Sequence, residues 1–429
     1  MTGGLSFLLA LAGVHAIGAA MLAPLPRSCR RLLPLFPATG LLGVLFLAVE
    51  MFLLSMAGIP WTIPRLTAIP AAFALAAAFR KRPAAEQRNR PGLSPPILAA
   101  ALAIGLVAYA AVTGRATSMD LLLFWGAKSE HFALARAFDL DFLRRPEHYL
   151  MHPDYPPLLP CLQAFGAMAS GRFPWGASLL VMPWFLAMAV ATYRSGAHER
   201  IADRTAAEWS TAVFAAVIGL AAVAALTAGN ADVPLLAYQT SALVLLIGAR
   251  PRPAARWAAG LALAAASILK IEGLFFAALT TVVFTARARP GERREVFLSL
   301  AAPPSIAIGS WLLFCRAEGL LDLYRGGEIG PFTLEYLGRI SAGLVKAASY
   351  DCLYVPWIAL AFAAFALRRR GFAAEPLLVA AGILAVNAYF YMHGEDPTVW
   401  IGWSAARTLI PVLVCFHLSP GGNPKAVRS

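Results

Sequence analysis

The chain has 429 residues, 59% of them hydrophobic and 14% charged, with a mean hydropathy of +0.66. A soluble domain of this size carries about 25% charge, so a water-soluble globular protein is excluded and a polytopic membrane protein is expected. The formal net charge of +13 does not point to nucleic acid, because the basic residues fall in short connections between apolar runs.

Taken in chain order, those runs predict membrane-spanning helices over roughly 3–23, 34–56, 62–79, 95–113, 174–193, 208–227, 234–249, 254–269, 272–286, 296–314, 352–367, 374–391 and 405–418. The fold class predicted is all-α, with about thirteen transmembrane helices. The opening "MTGGLSFLLALAGVHAIGAAMLA" lacks the basic start of a secretory signal and reads as a first span. Alternate connections, among them "RSCRR", "RKRPAAEQRNR", "RSGAHERIADR" and "RARPGERR", hold 23 of the 36 basic residues but only 7 of the 23 acids. Positive charge marks the cytoplasmic side, which puts the N-terminus outside and the C-terminus inside; the expected location, which charge does not decide, is a bacterial plasma (inner) membrane. The apolar run "PPLLPCLQAFGAMAS", 156–170, is short and begins Pro-Pro; counted as a span it would invert every later loop. It is therefore expected to lie as an interfacial helix on the outer face.

Two outer loops are long, 114–173 and 315–351, whereas every cytoplasmic connection is short, so the chemistry is expected outside. Asp120, in "SMDLLLFWGAK", reads either as a surface acid at a helix end or as a catalytic carboxylate at the membrane surface. Asp154, in "HPDYPP", is either a turn former or, with His152 two residues before it, a weak metal-ligand pair. Asp232, in "GNADVPL", sits in a tight outer turn. Lys270 and Glu272, in "LKIEG", border two apolar helices, where they need each other or water; Lys270 alternatively faces a phosphate. "HGEDPTVWIGWSAARTLIPV" places His393, Glu395 and Asp396 in an outer loop and Arg407 at the start of the last span. Arg407 either snorkels to the interface or forks a phosphate. Glu50 falls inside the second span, as a packing acid or a lining residue of a lipid path. Phe124, Trp125, Tyr155 and Trp403 suit sugar stacking or an aromatic interface belt. Of five cysteines, Cys315 and Cys352 flank the second outer loop, where they could pair. Carboxylates and cations converging at headgroup level suit a phosphorylated lipid, and no nucleotide-activated donor is supplied outside the cell. That favours a donor linked to a lipid phosphate.

The ordered set resembles the integral-membrane glycosyltransferases of the C superfamily, whose members include protein O-mannosyltransferases and lipid A aminoarabinose transferases. The resemblance rests on an acid near the start of a long first outer loop (Asp120), the Pro- and Tyr-containing "PDYPPLLPCLQAF", the Asp before Pro in "NADVPL", the Lys-x-x-Gly of "KIEG", and "ARTLIP" near the C-terminus. It covers about 95–418. It implies a core at 92–315 with outer loop 114–173, preceded by three additional spans in 1–91 and followed by a variable part, 316–429. Many members have two adjacent acids in the first loop, whereas here Leu121 follows Asp120.

What the resemblance implies is inverting transfer of a sugar from a polyprenyl-phosphate donor to an acceptor hydroxyl on a lipid, glycan or protein. Asp120 would act as general base. Lys128, Lys270 and Arg407 would face the donor phosphate, and a divalent metal ion would be held by Asp154 and His152. Asp232, Glu272 and Tyr155 are further candidates. The competing classes are a polytopic lipid or sugar transporter or flippase, which binds at the midplane, and a glycan ligase.

Overall fold

The computed structural model describes residues 2–30, 32–78, 94–145, 147, 152–247, 252–321, 333–354, 356–358, 360–361, 373–393 and 397–419. Among these the protein is all-helical, with no strand beyond a single bridge between Thr117 and Ala228. The longer helices are α1 (Thr2–Leu22), α2 (Leu35–Met56), α3 (Ile63–Ala78), α4 (Pro95–Val112), α5 (Gly126–Ala135), α6 (Leu158–Ser170), α7 (Val181–Arg200), α8 (Arg204–Ala224), α9 (Asp232–Ile247), α10 (Pro253–Ser267), α11 (Ile271–Arg287), α12 (Arg293–Ala317), α13 (Tyr336–Lys346), α14 (Ala374–Met392) and α15 (Pro397–Leu418). Seven helices among the described residues are long and apolar enough to cross a membrane. The apolar helices Asp232–Ile247 and Leu158–Ser170 are shorter; at 1.5 Å per residue such lengths fall short of an untilted crossing of about 30 Å. The protein is thus a helical, membrane-embedded bundle. Most of the expected span at 352–367 lies outside the described residues.

Helix ends follow local chemistry. Pro95 and Pro96 open α4, where the missing N–H costs nothing. Asp203 caps α8 by accepting from the backbone N–H of Thr205 and Ala206. Gly273 allows the first turn of α11 to lie against the carbonyl of Ala266, a contact that any Cβ would block. That close approach gives the Lys-x-x-Gly turn its physical reason.

The N-terminal helices are part of the main core. Phe7 on α1 packs over Gly166 of α6, and the Tyr238 hydroxyl of α9 donates to the Leu41 carbonyl of α2 at 2.9 Å. Within that core Trp184 Nε1 donates to His15 Nε2 (3.1 Å), so the proton of His15 sits on Nδ1 and points to the Thr39 hydroxyl (2.9 Å). Residues of α13, α14 and α15 form a second, smaller cluster around Ile340, Cys352, Tyr391 and Ile401.

The helix expected to lie on the outer face differs. Residues 158–167 of α6 are all buried, with Leu158, Leu159, Cys161 and Ala164 fully so. A helix apolar on every side belongs inside a core, and α6 is wrapped by protein rather than resting in headgroups. Its one polar side chain in this stretch, Gln163, accepts from the Ser129 hydroxyl of α5 at 2.8 Å. Cys315 and Cys352 are both buried free thiols, which overturns their pairing.

Candidate functional site

The loop after α4 and the turn between α8 and α9 meet first. Ser118 N–H donates to the Ala228 carbonyl and Ala228 N–H to the Ala116 carbonyl, each at 2.8 Å. Gly229 closes this turn with φ +91, a conformation that favours glycine, and packs on Leu121. Asp120 and Asp232 are thereby brought to the same end of the bundle. A single π turn, Leu121–Trp125, follows Asp120 and leads into α5.

Lys270, extended at the start of α11, reaches across to Asp232 Oδ1 at 2.9 Å and to Glu272 Oε1 at 2.9 Å. Arg407 of α15 donates through Nη1 to Asp120 Oδ2 at 2.5 Å and lies 3.9 Å from Asp232 Oδ2. The result is one alternating chain of charge: Asp120, Arg407, Asp232, Lys270, Glu272. Its centre is buried, with the Asp232 side chain 9% exposed, and its ends, Asp120 and Glu272, are 35% and 45% exposed. Three acids and two bases leave it one negative charge. Burial opposes the charge on Lys270, but Asp232 and Glu272 outweigh that and hold its pKa above the ordinary lysine value. Both alternatives for Lys270 and Glu272 are thus compatible with the geometry: the two residues form an ion pair, and the flanking carboxylates favour the charged ammonium.

Asn230 was legible only as a turn former. Its Oδ1 accepts from Asp232 N–H at 3.0 Å, which fixes the amide, while its buried Nδ2 has no hydrogen-bond partner among the described residues. The same holds for Asp232 Oδ2. The signal in the sequence was the Asn-x-Asp spacing of "GNAD" directly ahead of a helix.

A second group lies beside the first. Lys128 on α5 is 1% exposed and donates to the His152 carbonyl at 2.5 Å, a carbonyl that also takes the Tyr155 N–H at 2.9 Å. His152 adopts φ +46, the left-handed region, to present it. The Trp311 indole of α12 donates to the Asp154 carbonyl at 2.7 Å, and Leu158 N–H to the Ile268 carbonyl at 3.1 Å, which anchors "PDYPP" next to the Lys270 turn. Burial pushes Lys128 down to about 7, with Asp154 opposing the shift. Burial and the Lys128 charge push His152 down to about 4. Burial raises Asp154, against the pull of Lys128. Lys128 is committed to a backbone carbonyl and stands apart from the five-residue chain, which removes it from the phosphate-facing set.

The expected metal pair, His152 and Asp154, gains no further ligand among the described residues. No group of three His, Cys, Asp or Glu suited to a metal ion occurs among the described residues. His152 stacks on Tyr155 (4.6 Å between ring centres) and lies tilted against Phe124 (4.7 Å), with Lys128 close to Asp154. Trp125 is 1% exposed and stacks on Tyr155, so it is a core residue and not part of an interface belt. Glu50 is 6% exposed within α2, and its Oε2 has no hydrogen-bond partner among the described residues. His393 caps its own helix end by bonding the Tyr389 carbonyl at 2.9 Å. Glu395, Asp396 and the Trp403 side chain lie outside the described residues.

Comparison of the chain with protein-family models, with curated proteins and with solved structures finds no match in any of the three.

Proposed function

We propose that the protein is an integral-membrane glycosyltransferase that moves a sugar from a polyprenyl-phosphate donor to an acceptor hydroxyl at the outer membrane surface, with inversion. The observation that supports this most is the convergence of Asp120, Asp232 and Lys270, from three separate connections, with Arg407 from the middle of α15 on one chain of ion pairs. On this reading the acceptor oxygen attacks the anomeric carbon and its proton passes to the Asp120 carboxylate. The bond from that carbon to the phosphate oxygen breaks, and the electron pair leaves on the phosphate beside Lys270 and Arg407. The resting chain already pairs Arg407 with Asp120. A phosphate that takes over the guanidinium therefore frees Asp120 at the moment a base is needed. The reading carries thirteen spans with the N-terminus outside and the C-terminus in the cytoplasm. Cysteines placed at positions 85 and 140 test that arrangement: 140 is expected to react from outside and 85 to be protected. The decisive assay presents the purified protein with polyprenyl-phosphate sugars and an acceptor extract and scores release of polyprenyl phosphate. Absence of release with every donor tried rejects the reading.

A further inference from the structure

A cavity of about 490 Å³ opens between the first residues of α3, one side of α5 and the C-terminal end of α6. It lies across α5 from the charged site. Trp125, Lys128, Ser129 and Phe132 are buried on the inner side of that helical segment, whereas Glu130, Ala133 and Leu134 line the cavity. Its floor is apolar, with Trp61 fully buried, Phe173 6% exposed and Ala167 2% exposed. Three charged residues line it: Glu130, Arg136 and Arg172. None of the three has an ion-pair or hydrogen-bond partner for its side chain among the described residues. This contrasts with the neighbouring site, where every cation is engaged.

The backbone holds the charged rim in place. Arg136 ends α5 in the left-handed region, φ +53, and its carbonyl accepts the Trp61 N–H at 2.6 Å. A non-glycine residue in that region is held there by its surroundings. Trp61 is itself fixed by its indole N–H, which donates to the Met51 carbonyl at 2.9 Å. Arg172 also lines an adjoining cavity of about 350 Å³ beside Gly3, Gly4 and Trp175. It therefore stands between two openings next to the start of α1.

Two guanidiniums and one carboxylate around an apolar floor match a ligand with one phosphate, one hydrogen-bonding ammonium and an apolar body. The apolar helix α3 begins at the cavity wall and exposes Ile69 and Phe73 one turn apart, a surface on which acyl chains can lie. We propose that this cavity binds a phosphoethanolamine lipid, with the phosphate between Arg136 and Arg172 and the ammonium at Glu130. The assignment is independent of the transferase reading and needs only the membrane environment.

Native mass spectrometry of the delipidated full chain, offered equimolar phosphatidylethanolamine and phosphatidylcholine, tests it without any activity. The wild type is expected to retain the ethanolamine lipid in about fivefold preference, because a quaternary ammonium cannot donate to Glu130. Glu130→Gln is expected to remove the preference while lipid is still retained. The Arg136→Gln/Arg172→Gln pair is expected to lower retention of both lipids about tenfold. Equal retention of the two lipids by the wild type would overturn the proposal, and so would a preference that survives Glu130→Gln. Stronger retention of phosphatidylglycerol would overturn the ammonium subsite. Displacement by soluble phosphoethanolamine at equal concentration would overturn the lipid assignment.

Discussion

Lys128 and Lys270 both sit among buried residues at the same end of the bundle, 1% and 11% exposed, and their surroundings drive them in opposite directions. Lys270 has two carboxylates at 2.9 Å and stays charged. Lys128 has only a carbonyl within hydrogen-bond distance, and burial brings its pKa down to about 7. A buried ammonium without an adjacent anion gives up its proton sooner than it accepts desolvation. The difference separates two roles that look alike in sequence. Lys270 belongs to a charged network able to meet an anion, and Lys128 holds the backbone of "HPDYPP" in place.

Variants that break the Lys270 network should affect transfer most. Asp120→Asn keeps the shape of the side chain and removes its basicity, so turnover is expected to fall about a hundred- to ten-thousand-fold, with the melting temperature nearly unchanged. Near-normal turnover would remove Asp120 as the base and leave Asp154 or Asp232 as the next candidates. Next in size, Lys270→Ala and Arg407→Ala are each expected to weaken donor binding by about 1.5–3 kcal/mol, the worth of a charged hydrogen bond, as read by titration with the lipid donor. Lys128→Met sharpens the contrast, because it should leave donor affinity within about twofold while changing the pH dependence of stability. The unfolded chain keeps the Lys128 proton up to its ordinary value of 10.5, whereas the folded chain releases it near 7. Between those values the unfolded state binds more protons, so stability attributable to this residue rises with pH. Thermal melts from pH 7 to 10 should show that rise in the wild type and a flatter profile in Lys128→Met.

The smallest effect on transfer is expected far from both lysines. Glu208 of α8 is held by Arg194 Nε at 2.9 Å and Nη2 at 2.5 Å and by His198 at 3.0 Å, with both carboxylate oxygens satisfied. Its partners lie 14 and 10 residues earlier, on the preceding helix α7, whereas Asp120 and Arg407 are 287 residues apart. Glu208→Gln should cost about 1–3 kcal/mol of stability and leave turnover unchanged.

Much of this was legible in the chain. The apolar runs located most of the long apolar helices, because length and hydropathy are local properties, but not the helices Gly126–Ala135 and Tyr336–Lys346, nor the start of the last helix at Pro397. The acids at 120 and 232 and the bases at 270 and 407 stood out because charges at the ends of apolar helices are costly unless paired or wet. Their pairing was not legible, since it depends on which helix ends become neighbours. The burial of α6 was hidden for a related reason. An apolar run beginning Pro-Pro has the same composition whether lipid or protein surrounds it. The cavity residues Arg136 and Arg172 carried no motif, and only the folded chain brings them to the same cavity as Glu130.

The central claim is that connections far apart in sequence form one donor site, and a double-mutant cycle on Asp120 and Arg407 tests it most directly. Turnover of a polyprenyl-phosphate sugar is measured for the wild type, Asp120→Asn, Arg407→Gln and the double variant. Residues acting as one unit lose little more together than the worse single change, and the double variant is predicted to match Asp120→Asn within about threefold. Losses that multiply in full would show that the two residues are uncoupled and contradict the account.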